Sequence, residues 1–102
     1  VRSVLVVGRE GAVVAAVVAA TRARGAGAVG ATTDEAACEA MSAGDVAVLV
    51  IGAGVERESR DLLRRAAESG GTTVVETPLR GGDVDEYVVR EIMPRLRTGS
   101  SR

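Results

Sequence analysis

The stretch SVLVVGREGAVVAAVVAATRARG, residues 3–25, decides how the chain is read. Its opening, Ser3–Val7, is a short apolar run rich in β-branched residues and closed by Gly8, the pattern of a strand covered on both faces. Residues 10–24 then carry Val13, Val14, Val17 and Val18 at helical spacing. The surrounding alanines offset the poor helix propensity of valine, and Gly25 supplies a C-terminal stop. A buried strand that feeds a helix through a tight glycine turn predicts the first unit of a parallel α/β sheet.

The same alternation recurs three times downstream. Residues 28–32 (AVGAT) read as a weaker strand, and Thr32 with Glu35 three positions later reads as a capping box opening a helix over Asp34–Ser42, which Gly44 ends. Val46–Ile51 (VAVLVI) is the strongest strand and belongs at the centre, because an unbroken apolar run has no solvent side to offer. A helix over residues 56–69 places Leu62, Leu63, Ala66 and Ala67 on one face and arginines mostly on the other, with Gly70 and Gly71 as terminator. Residues 72–75 give the fourth strand and residues 77–82 a loop. Asp83 with Glu86 caps a last helix that Pro94 is expected to end or kink. The fold class is therefore α/β, a small doubly wound, flavodoxin- or Rossmann-like sheet of four parallel strands in three layers, with residues 1–97 as one domain and 98–102 as a flexible tail. Two strand orders, 2-1-3-4 and 3-2-1-4, satisfy the alternation.

Composition narrows the chemistry. Of 102 residues, 18 are valine and 17 alanine, and Tyr87 is the sole aromatic, so the core is built from small branched side chains. Thirteen arginines, no lysine and fourteen acids give a net charge of -1 without a charge block, which disfavours nucleic acid as partner. With no histidine and only Cys38, one chain supplies neither a disulfide, nor an ordinary zinc site, nor histidine-based catalysis. Cys38 itself reads as a buried small hydrophobe among Ala36, Ala37 and Met41. The longest uncharged apolar run, residues 11–20, is half of the ~20 residues a membrane span needs, so a cytoplasmic protein away from membranes is expected.

In such a sheet, ligands sit at the carboxyl ends of the strands. The turn Gly8-Arg9-Glu10-Gly11 resembles the phosphate-binding turn of dinucleotide enzymes, with Gly8 and Gly11 spaced as in short-chain reductases and Val14 where a third glycine would stand. Asp34 is placed to accept a ribose hydroxyl, while Glu10 at the helix start would repel phosphate. Arg9 and Arg80 lie at the ligand end as candidate anion contacts, beside Gly52 and Thr77. A nucleotide is thus a candidate ligand, although no resident cofactor is expected and no catalytic residue emerges.

The phrases VLVVG at 4–8, ARG at 23–25, ATTDEAACEAM at 31–41, DVAVLVI at 45–51 and TVVET at 73–77 resemble, in order, the receiver domain of two-component response regulators. In that family an acidic pair after the first strand binds magnesium, and an aspartate ending the third strand takes the phosphoryl group. A threonine or serine and a lysine then stabilise the phosphorylated state. Here those positions hold Gly8, Arg9 and Glu10 after the first strand and Ile51-Gly52 after the third. Thr77 alone fits. The resemblance implies a degenerate pseudo-receiver, a regulatory or interaction module without phosphotransfer. The chain is also about one strand–helix unit shorter than a receiver, and TTVVETPLRGGDVDEYVVREI at 72–92 resembles the final strand, loop and helix of a small component of rotary V-type ATPases.

The first helix points to assembly. From residue 11 to residue 20 it is apolar on every face, whereas a helix on a small sheet normally buries one stripe. A homodimer or docked protein partner is expected to cover the remainder through Val14 and Val18.

Overall fold

The computed structural model describes residues 3–76 and 83–100. Strands β1 (Ser3–Val7), β2 (Gly27–Ala31), β3 (Val46–Ile51) and β4 (Thr73–Val75) form one parallel sheet in the order β2-β1-β3-β4. Of the two orders the alternation allowed, this is 2-1-3-4. Helices α1 (Gly11–Ala23), α2 (Asp34–Ser42) and α3 (Arg57–Gly70) connect the strands. The chain then continues as α4 (Val84–Tyr87), a π-helical turn (Val88–Ile92) and α5 (Met93–Ser100). The doubly wound α/β class read from the sequence is the observed one.

Strand alternation sorts the core into two halves. Val4, Val6, Val48, Val50 and Val75 meet Val14, Val17 and Ala20 of α1 and Tyr87, Val88 and Ile92 of the C-terminal helix. Leu5, Val7, Leu49 and Ile51 point the other way, onto Ala37 of α2 and Leu63 and Ala67 of α3. The fully buried Leu5, Leu49, Ile51, Leu63 and Ile92 each contribute about 1.5–3 kcal/mol of apolar transfer free energy. β1 and β3 are central, as their unbroken apolar runs require.

Several local expectations needed correction. The cap of α2 is Thr33, whose extended backbone lets its side-chain oxygen accept from the Ala36 amide at 3.1 Å. Strand β2 ends at Ala31, one residue earlier than read, and with Thr33 as the cap the third helical position is Ala36, which has no carboxylate to return the bond, so no Thr32–Glu35 capping box forms. Pro94 does not end the last helix. The Met93 amide bonds back to the Val88 carbonyl, and the wide π turn makes room for a proline ring that would otherwise press on the preceding turn, so the helix continues to Ser100. Cys38 is half-buried rather than buried. Leu62, assigned to the buried face of α3, is 46% exposed, while Leu63 beside it is fully buried.

The first helix also differs from expectation. Val14 is 6% exposed and lies against the sheet, so it is not on the solvent side, whereas Val18 is half-buried. The outward side consists of Val13 and the alanines Ala12, Ala15, Ala16 and Ala19. Three of the four valines thus belong to the stripe on the sheet, small alanines dominate the solvent side, and α4 with the π turn covers one flank. No helix among the described residues is long and apolar enough to cross a membrane.

Candidate functional site

The strand order reverses between β1 and β3, since β1 leads through α1 to one side and β2 leads back across through α2 to the other. The carboxyl ends of these two strands open a crevice, the place where doubly wound sheets bind ligands. It encloses about 360 Å³ and is floored by Val6, Val7, Val50, Gly8 and Gly52. Val13, Val14 and Val17 of α1 and the buried Tyr87 form its walls, with Arg9, Glu10, Ala53 and Gly54 at the rim. Burial, reinforced by Glu91, pushes the Tyr87 phenol above its ordinary value, so it stays neutral at the crevice wall.

The glycines here are packing devices. The Gly8 amide donates to the Ala31 carbonyl at 3.1 Å and the Gly52 amide to the Val7 carbonyl at 2.8 Å, which extends both ladders beyond the strands. A Cβ on Gly30 of β2 would lie 2.5 Å from Val14 Cγ1, and one on Gly8 would lie 3.1 Å from Val14 Cγ2. Val14 fills the position where the dinucleotide fingerprint has its third glycine. Close helix–strand contact is kept because the missing side chains belong to the strand side instead.

Arg9 organises the opposite side of the same end. Its Nε donates to Glu56 Oε1 at 2.9 Å and Nη1 to the Thr32 carbonyl at 2.9 Å. Nη2 donates to Asp34 Oδ1 at 2.9 Å and to Ser59 Oγ at 3.0 Å. The Ser59 hydroxyl in turn donates to Asp34 Oδ2 at 2.7 Å. One guanidinium therefore joins the β1–α1 turn, the start of α2 and the first turn of α3. Arg9, followed by Ser59, holds the Asp34 carboxyl below its ordinary value; Glu56 is lowered first by its own backbone amide and then by Arg9. A second clamp ties the end of β4 to α3. Glu76 accepts from Arg60 at 2.9 Å and from Arg64 at 2.6 and 2.8 Å, and Arg64 then Arg60 lower its pKa. Arg60 also donates to the carbonyls of Val55, Gly52 and Ala53, fixing the loop at the crevice rim.

Of the residues singled out in the sequence, Gly8, Arg9 and Gly52 meet at the crevice. Gly11 begins α1 with open space around it, and Asp34 lies with Arg9 on the α2–α3 side. Thr77 and Arg80 lie outside the described residues. Glu56 and Ser59 were missed: they sit 47 and 50 positions from Arg9, so no local pattern joins them. Tyr87 stands out in the sequence only as the sole aromatic, with nothing to mark it as a crevice wall. Among the described residues no group of three or more acidic, cysteine or histidine side chains is placed to hold a metal ion. Fold and crevice define a small doubly wound α/β protein. Comparison with protein-family models, with curated proteins and with solved structures returns no match.

Proposed function

We propose that this chain is a non-catalytic, receiver-like α/β module that acts through contact with another protein. The observation that carries the reading is the Arg9 cluster. A cation stands after β1 where a receiver carries its acidic pair, and the nearby carboxylates of Asp34 and Glu56 are spent on it. β3 ends in Ile51 and Gly52, which offer no phosphoryl acceptor. A module of this kind works by presenting a surface, and its carboxyl-end charges serve to fix loops. Incubation with acetyl phosphate and magnesium, followed by intact mass measurement, tests it: the mass stays unchanged, and a phosphoryl adduct at any carboxylate would overturn the reading.

One observation favours a second reading. The crevice lies at the switch point, beside the start of α1, where Glu10 makes no side-chain cap. In this reading a small nucleotide or NAD(P) would bind over Gly8 and Gly52. The engaged states of Arg9 and Asp34 count against it, since both would have to leave their partners to meet phosphate and ribose. Titration of NADH, followed by its fluorescence, separates the two: saturable binding supports the second reading, and no change supports the first.

A further inference from the structure

Helix α3 carries a solvent face that the other described residues leave uncovered. Glu58, Leu62, Arg65 and Ser69 recur at spacings of four, three and four, which aligns them in one stripe along the helix. All four are exposed, and the stripe lies opposite the buried Leu63 and Ala67. Leu62 is among the most exposed large apolar side chains of the described residues, at 46%. Two neighbouring arginines, Arg60 and Arg64, are tied down on Glu76. Arg65 and Glu58 differ: among the described residues neither has an ion pair or a side-chain hydrogen bond.

A leucine flanked one turn away on each side by opposite, unsatisfied charges is complementary to itself under a two-fold rotation. We propose that a second copy of this chain docks on this face, with α3 packed antiparallel against α3. Glu58 of each copy then faces Arg65 of the other, and the two Leu62 side chains meet at the axis. A parallel arrangement would set Glu58 against Glu58 and Arg65 against Arg65, so the charges select the antiparallel one. The contact is one helix pair wide, which places it among small, transient interfaces, and its ion pairs make it weaken with salt. The inference does not rest on the receiver-like reading, since a phosphoryl adduct would leave it untouched.

Sedimentation equilibrium on the whole chain at low ionic strength tests it. The wild type is expected to show a concentration-dependent dimer that weakens as salt rises. Glu58→Arg and Arg65→Glu each set like charges face to face and should weaken self-association at least about tenfold. Mixing the two variants in equal amounts restores opposite charges at both contacts, so a heterodimer should return. Both positions are exposed and only Glu58 lies in the first turn of α3, so a cooperative melt within a few degrees of wild type separates lost docking from lost folding. A wild type that stays monomeric up to millimolar concentration overturns the proposal. So does a dimer indifferent to both variants, which would place the contact on another face.

Discussion

Arg9 and Asp34 stand 25 residues apart in the chain, and their side chains meet at 2.9 Å. The pair closes the carboxyl end of the sheet on its α2–α3 side, because the same guanidinium also holds Glu56 and the Thr32 carbonyl. A side chain that looks from its position like an anion receptor is thereby turned into a brace between three loops.

Removing the brace should cost stability. Arg9→Met leaves Asp34 and Glu56 without their shared cation, and the melting temperature is expected to fall by several degrees. Arg9→Lys should recover only part of the loss, because an ammonium cannot make the forked contacts of a guanidinium. Circular dichroism melts check this, and an unchanged midpoint for Arg9→Met would show that the contacts add nothing.

Acid should act through the same carboxylates. Asp34, Glu56 and Glu76 are held below their ordinary values of 3.8 and 4.5, so the folded chain releases these protons more readily than the unfolded one. Their stabilisation is present above those ordinary values and is lost as pH falls through the lower, folded ones. Melting temperature is therefore expected to be flat between about pH 7 and pH 5 and to fall below about pH 4. Glu76→Gln should flatten that fall, and a slope equal to wild type would remove Glu76 from the account.

Space at Gly30 is set by Val14. Gly30→Ala puts a methyl 2.5 Å from Val14 Cγ1 and should destabilise by about 1–3 kcal/mol. Gly8→Ala, with 3.1 Å to the other methyl, should cost less. Val14→Ala removes core packing of its own, but the double variant Gly30→Ala/Val14→Ala should lose less than the sum of the two single losses. Additive losses in chemical denaturation would contradict direct contact.

Helix α1 offers a contrast between two faces. Val14→Glu drives a carboxylate into a site that is 6% exposed and should cost more than about 3 kcal/mol, seen as unfolding. Ala16→Glu, on the exposed side, should change stability by no more than about 0.5 kcal/mol. It should also leave sedimentation unchanged, whereas reduced association in Ala16→Glu would return the docking surface to α1.

How far the sequence carried these conclusions depends on the range of the interaction. Val46–Ile51 was read to the residue, because burial on both faces leaves an unbroken apolar run. The bounds of α2 were read as well, although its cap was displaced from Thr32 to Thr33. Strand order lay beyond reach, since both candidates use the same alternation. Leu62 and Val14 were misplaced for one reason: an apolar stripe broader than the sheet can cover does not say which of its residues turns outward. The Arg9 contacts join positions 23 to 50 residues away, and only the fold brings them together.

Arg9, Asp34 and Glu56 at the carboxyl end of this sheet satisfy one another's charges, and the protein is proposed to act through its surface. Thermal unfolding against NAD(H), NADP(H), ATP, GTP, ADP and acetyl phosphate with magnesium tests this most directly. The same midpoint is expected with every compound. A rise of several degrees with one nucleotide at saturating concentration, the mass-action mark of binding to the folded state, would contradict it and move the function into the crevice over Gly8 and Gly52.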